Sequence, residues 1–341
     1  MRRILGLAIA GAAAVSFCTA AFGQAYPVRP VRIVVSFPPG TTPDTVARVV
    51  APKLQEALGQ PVVVENRAGA GGNVAVDAVA KSAPDGYTLV VSTNAALATN
   101  KVLYDNLPYD PERDLAAISL LATAPQILVV NPSVPVSTFN EFLQYLRSNP
   151  AKLSYGTTGS GSAAHLTMEL LKADAKVFLV HIPYRGFPQA VTDMMGGNIQ
   201  TMFAIAPGVL PHIKAGRMKG LAVTALKRSD QAPEIPSVAE LGFAQLESLA
   251  WIGLLAPAKT PQEIVDRLAH ETQRILHDPE AKKTLSNLGF DVVGGTPAEF
   301  RKFQHAEIDK WGKVIRATGA KPDCGSSDCE RQHRIGMRAP G

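Results

Sequence analysis

Two stretches of the chain combine glycine, hydroxyl side chains and a helix start: Phe37-Pro38-Pro39-Gly40-Thr41-Thr42-Pro43-Asp44 and Thr157-Thr158-Gly159-Ser160-Gly161-Ser162. Each follows an apolar strand-like run, over 31–37 and 153–156, and each leads into an apolar-periodic helix pattern. A helix start leaves about four N–H groups without internal partners, and the macrodipole adds partial positive charge there. Thr158, Ser160 and Ser162 add hydroxyls, while Gly159 and Gly161 let a ligand approach the backbone. The chemistry this suits is capture of an anion. The competing reading is two ordinary β–loop–α connections, in which the glycines turn the chain and Ser162 caps a helix.

Neighbouring residues widen the set. Phe37 walls the first loop or packs in the core. Asn94 stands in Thr93-Asn94-Ala95-Ala96, read as a third loop at a strand end. Tyr184 and Arg185 follow a strand over 177–182. Arg185 either pairs bidentately with a carboxylate or is an exposed loop arginine. Asp193 accepts from a ligand amine or, as preferred here, holds the Thr158 loop. Trp251 is assigned to hinge or core packing rather than to ligand contact.

Catalysis is the reading to set against binding. Ser160 or Ser162 with His165 suggests an exported serine hydrolase, but a nucleophile needs a base in reach and an orienting acid. No G-x-S-x-G elbow is present, and His165 on a first helical turn more simply orients the loop. G-S-G-S-A-A at 159–164 fits G-x-G-x-x-A, yet no ribose-binding acid follows about 20 residues on. No cofactor is expected. No metal site is expected either: Cys324 and Cys329 are spaced C-x4-C with His333 alone beside them.

With 341 residues, 46% hydrophobic and 18% charged, the chain has length for two domains and the means to bury a sizeable core. The net charge of +5 is scattered, with no basic run interleaved with aromatics, which argues against nucleic-acid binding. Residues 1–25 have the form of a signal peptide: Arg2 and Arg3, an apolar stretch over 4–14, then Gly23-Gln24-Ala25. The expected location is the periplasm, with cleavage near Ala25. The apolar stretch is short for a membrane span, and Phe17 before Cys18 does not suit a lipid-anchor signal. Residues 322–341 are polar and aperiodic and are expected to be a disordered tail, in which Cys324 and Cys329 suit a small loop in an oxidising compartment.

These candidates need elements to position them. Strands are expected over 31–37, 61–65 and 87–92, alternating with helices from 44 and over 74–81, as in a parallel α/β sheet. Its strand ends carry loops 38–44, 66–73 and 93–96, on the edge where open α/β sheets bind ligands. Strand-like runs at 118–122 and 126–130 follow. A second α/β set comprises helices at 138–148, 163–172, 189–195 and 209–215, and strands at 153–156, 177–182, within 197–204 and at 221–224. A short helix at 237–241, a strand at 250–257 and amphipathic helices at 261–277, 279–288 and 297–318 close the chain. This order fits two α/β lobes: 26–124 with 249–321, and an inserted 125–248. The chain crosses between them near 125–131 and 248–257. A ligand cleft then lies between lobes, and two hinge crossings allow it to close.

Over about 26–321 the chain resembles the substrate-binding proteins of tripartite tricarboxylate transporters, the Bug family. The resemblance rests on Y-P-V-R-P-V-R-I-V-V-S-F-P-P-G at 26–40, D-T-V-A-R at 44–48, V-V-V-E-N-R-A-G-A-G-G-N at 62–73 and A-K-S-A-P-D-G-Y-T-L at 80–89. It continues in L-P-Y-D-P at 107–111, Y-G-T-T-G-S-G-S-A-A-H-L at 155–166, H-I-P-Y-R-G at 181–186 and W-I-G-L-L-A-P-A-K-T-P at 251–261. The resemblance implies a periplasmic-binding-protein-like fold of type II, not an enzyme. It implies a monomer that holds a small mono- or dicarboxylate and delivers it to a membrane transporter or sensor. Carried over residue by residue, it points to Gly40, Thr42 and Asp44 in the first loop and to Thr158, Gly159, Ser160 and Ser162 in the second; alternatively Asp44 only caps its helix. Thr41 departs from the family's P-P-G-G: its Cβ narrows the pocket or demands another backbone angle. The tail after Asp323 has no counterpart in the pattern.

Overall fold

The structure, a computed structural model, describes residues 26–229 and 231–322. The expected signal peptide and the tail with its two cysteines lie outside these residues. Strand β1 (Val31–Val35) runs parallel to β2 (Val62–Asn66) on one side and β3 (Thr88–Thr93) on the other. Helices α1 (Thr42–Leu58) and α2 (Asn73–Ala80) connect them. The expected loop at 93–96 is not there. The chain enters a π turn at Ala95–Thr99 and continues into α3 (Asn100–Leu103). Ala95, Ala96, Leu97 and Ala98 are buried and are good helix formers, so the segment packs as helix under the sheet edge.

β4 (Leu115–Val130) follows as one 16-residue strand where two were expected. After it come α4 (Phe139–Ser148), β5 (Ser154–Thr157), α5 (Ala163–Ala175), β6 (Val180–Pro183), α6 (Phe187–Gly196), β7 (Thr201–Ile205), α7 (Ala206–Lys214) and β8 (Lys219–Val223). β9 (Leu249–Pro257), α8 (Gln262–His277), α9 (Pro279–Asn287), β10 (Asp291–Val292) and α10 (Pro297–Thr318) complete the order. The sheet runs β2-β1-β3-β9-β4-β7-β5-β6, with β8 and β10 also paired to β4.

β4 belongs to both lobes. It pairs antiparallel with β9 as far as Pro125↔Leu249, and from Gln126↔Ile205 it pairs with β7. Proline lacks the N–H a ladder needs, and Pro125 falls where β4 changes partner, so the strand passes through it unbroken. Beyond it, Leu128 and Val130 enter one core with Phe142, Tyr155 and Phe203, while Ile127 and Val129 enter another with Met194, Met202 and Val209. This is the period-two alternation of a strand buried on both faces. The first lobe is built likewise, with Val35, Leu54 and Leu121 on one face and Val76, Val90 and Trp251 on the other.

The two crossings are tied to each other. Gln126 N–H donates to Thr224 Oγ1 at 2.9 Å, and the Thr224 hydroxyl donates to the Ser248 carbonyl at 2.6 Å. Gln126 Nε2 donates to Ser248 Oγ at 3.1 Å. The expected helix at 237–241 is instead a closed turn: Ser237 Oγ accepts from Glu240 N–H, and the Glu240 carboxylate accepts from Ser237 N–H. Gly242, at φ +81°, ends it. The lobes also meet in an apolar cluster of Leu103 and Trp311 and Ile315 with Leu166 of α5. Among the described residues no helix is long and apolar enough to cross a membrane, and no group of three or more His, Cys, Asp or Glu could hold a metal ion.

Candidate functional site

The first loop is held from behind by Asp44. This residue is 2% exposed, and its carboxylate accepts from Gly40 N–H at 2.8 Å, Asn66 Nδ2 at 2.8 Å and Arg48 Nε at 3.0 Å. Asn66 also donates to the Phe37 carbonyl at 2.9 Å. Burial pushes the Asp44 carboxyl up, but the bonds from Arg48, Gly40 and Asn66 outweigh it and hold the group below the usual carboxylate range. Asp44 therefore positions the loop. It neither lines the cavity described below nor caps α1, whose N-cap is Thr41. Gly40 sits at φ +78°, where glycine is at ease, so its N–H can turn back to that carboxylate. Thr41 has φ −81° and ψ 164°, an ordinary extended conformation, and its hydroxyl donates to the Pro38 carbonyl at 2.6 Å. Replacing a glycine there demands no special backbone angle. What remains of the two expectations is the narrowing.

The second loop rests on a stacked column of rings. His165 stacks on His181 with centroids 4.5 Å apart, and His181 on Tyr155 at 4.8 Å. Gly161 N–H donates to His165 Nδ1 at 3.2 Å, so this histidine orients the loop as expected. Thr157 Oγ1 lies 2.7 Å from His181 Nε2 and accepts from Gly159 N–H at 3.1 Å. Ser162 is the N-cap of α5, its Oγ accepting from His165 N–H at 3.2 Å. Of the pieces proposed for a hydrolase, Ser160 or Ser162 with His165, the Ser162 Oγ and the His165 Nδ1 both accept hydrogen bonds that build the loop.

Both loops open on one cavity, lined from the first lobe by Phe37, Thr41, Thr42 and Pro43 and from the second by Thr158, Ser162, Ala163 and Ala164. The first turns of α1 and α5 therefore face the same space. Asn94 lines it as well. It is 3% exposed, and its Nδ2 has no hydrogen-bond partner among the described residues. Of the expected residues, Phe37, Thr41, Thr42, Asn94, Thr158 and Ser162 line the cavity, while Gly40, Gly159, Ser160, His165 and Tyr184 are not among its lining residues. Arg185 is exposed and outside it. Asp193 is not among the residues lining the cavity, and its carboxylate's hydrogen bonds go elsewhere than to the Thr158 loop. Its carboxylate accepts from the Tyr184 hydroxyl at 2.8 Å and Asn198 Nδ2 at 3.2 Å. Burial and that carboxylate push the Tyr184 hydroxyl up to about 12.

The sequence reading missed most of the apolar wall: Phe187, Met202, Phe203, Ile205 and Ile252, with Gln126 at the crossing. Trp251 packs in the core as expected, against Phe300 and Phe303, yet also lines the cavity. Its Nε1–H donates to Glu307 Oε2 at 2.9 Å, and Trp311 Nε1–H donates to the same oxygen at 3.0 Å. None of the residues lining the cavity carries a charged side chain.

Residues 46–320 match the family model described as "Tripartite tricarboxylate transporter family receptor". The protein BugT of Bordetella pertussis is 37% identical over 297 residues, 87% of this chain and 91% of BugT. Among solved structures, R. palustris Rpa4515 with adipate is 35% identical, with a TM-score of 0.83 over 87% of this chain and 99% of that one. MatC from Rhodopseudomonas palustris with bound malate is 31% identical, with a TM-score of 0.80 over 85% of this chain and 100% of that one.

Proposed function

The chain belongs to the tripartite tricarboxylate transporter receptor family, and on that premise we propose that it captures a small carboxylate between its lobes for delivery to a membrane transporter or a sensor. The observation that carries this reading is the convergence of the α1 and α5 N-termini on one cavity with no charged lining residue. The carboxylate oxygens lie against first-turn N–H groups from both helices, which have no acceptor within the helix. Thr42, Thr158 and Ser162 surround them with hydroxyls. One helix belongs to each lobe, so the anion favours the closed arrangement over an open one. The bodies that close are 26–124 with 249–321 and 125–248, turning about the paired crossings at Gln126 and Ser248. Adipate in one relative and malate in another support a carboxylate as the class of ligand. The receptor works in the periplasm as a monomer, exported by residues 1–25 and cut near Ala25.

The test is a thermal-shift titration of the mature chain with a panel of small carboxylates, with an ester probe followed in parallel. At least one acid raises Tm; saturation at about 100 times Kd stabilises by about 2.7 kcal/mol. Ester turnover is not expected. Folded, monomeric protein whose Tm no acid moves overturns the reading.

A further inference from the structure

We propose that Thr99 is the positioning residue that couples solute capture to the joining of the lobes; this rests on the carboxylate-receptor reading. Thr99 ends the π turn of the first lobe and is fully buried. Its hydroxyl has one proton and three acceptors in reach. The Gly161 carbonyl of the second lobe is 2.6 Å away, and the Ala95 and Asn94 carbonyls of its own turn are at 3.3 and 3.5 Å. The short contact takes the proton, and the other two lie beyond the usual range for a hydroxyl donor. Parting of the lobes removes the Gly161 carbonyl and leaves the hydroxyl only the carbonyls of its own turn. The strong bond is therefore gained when the lobes join.

Both ends of this bond stand next to the cavity. Asn94, one residue before the π turn, lines it, and so does Ser162, which follows Gly161 and caps α5. Gly161 is also held within its own lobe, where its N–H donates to His165 Nδ1 at 3.2 Å. A Cβ on Gly161 would stand 3.1 Å from Thr99 Oγ1 and 3.0 Å from Leu103 Cδ2, so the bare glycine seats closely on the first lobe. A solute drawn against the first turn of α5 settles the Gly161 carbonyl where Thr99 reaches it. The Thr99 bond in return holds that first turn over the cavity, and the coupling is reciprocal, as linkage requires. A buried carbonyl that loses its donor is costly. Here the cost falls on the joined arrangement alone, because parted lobes give the carbonyl to water.

The experiment is isothermal titration and stopped-flow fluorescence with adipate, malate, hexanoate and benzoate, on wild type, Thr99→Val and Thr99→Ser. Thr99→Val keeps the shape and removes the hydroxyl. It is expected to weaken every acid that wild type binds by about tenfold, mostly as faster dissociation. Thr99→Ser keeps the hydroxyl and is expected to bind within about threefold of wild type. A folded Thr99→Val that binds within about threefold of wild type overturns the inference even if its Tm is lower, since a Tm loss alone means a merely structural role. A loss confined to association, or one that Thr99→Ser shares in full, overturns it as well. If Thr99→Val does not fold, Thr99→Ala carries the same expectation. In all these outcomes wild type binds and the receptor reading stands. No binding by wild type to any of the four acids, or to any acid of the thermal-shift panel, overturns that reading and this inference with it.

Discussion

The carboxylate of Asp44 gathers donors from three places: Gly40 in the loop, Arg48 one turn along α1, and Asn66 at the end of the neighbouring strand. Replacing it by asparagine removes the charge that strengthens all three bonds. Asp44→Asn is expected to cost about 1.5–3 kcal/mol at pH 7, read by urea unfolding. The pH dependence has a definite sign. A carboxyl held lower in the folded than in the unfolded chain stabilises above its unfolded value, and that contribution is lost as pH falls through the folded one. The gap between wild type and Asp44→Asn is therefore expected to shrink below about pH 4. The acid at position 44 was legible as important, but its role was not. Asn66 reaches it only because β1 and β2 pair in the register Val35↔Asn66, a contact no local pattern announces. Thr41 teaches the converse. Its extended backbone means Thr41→Gly relieves no strain, so the variant is expected to lose roughly 0.5–1 kcal/mol through added unfolded-state freedom while widening the cavity.

Among the elements, the amphipathic helices α8, α9 and α10 fell within a residue of where their periodicity placed them, because a surface helix writes its buried face into the sequence. β4 did not. Pro125 reads as a break, and only the change of partner from β9 to β7 makes it harmless. The segment after β3 read as a loop because its small residues carry no strong periodicity, yet burial folds it into helix. That helix also fixes the second loop: Thr99 Oγ1 donates to the Gly161 carbonyl at 2.6 Å, across the lobes. Gly161 has φ +78°, and a Cβ on it would stand 2.4 Å from Asn100 Oδ1. Gly161→Ala is thus expected to lower Tm and to weaken carboxylate binding by about tenfold or more, as the loop backs away from α3. At the crossings, Thr224→Val leaves the Gln126 N–H and the Ser248 carbonyl without their hydroxyl partner. It is expected to destabilise by about 1–3 kcal/mol, seen as a lower urea midpoint at unchanged m.

For the molecule as a whole, the two-lobe plan was legible because the strand–loop–helix grammar of 31–48 recurs at 153–165. The two helix starts it exposed do meet at one cavity. The cavity's apolar wall was not legible: Phe203, Ile205 and Ile252 have the spacing of core residues, and only the junction of the lobes makes them line the cavity. Closure by an anion shared between lobes is expected to reduce the radius of gyration in small-angle scattering when the binding acid saturates the protein; an unchanged radius would mean the ligand enters without lobe movement. The chain's two tryptophans sharpen this further. Trp251 lines the cavity, Trp311 packs in the apolar cluster that joins the lobes, and one Glu307 oxygen holds both indoles. The protein thus carries two native emitters whose fluorescence separates events that calorimetry merges. In Trp311→Phe the remaining signal follows occupancy, and in Trp251→Phe it follows the joining of the lobes.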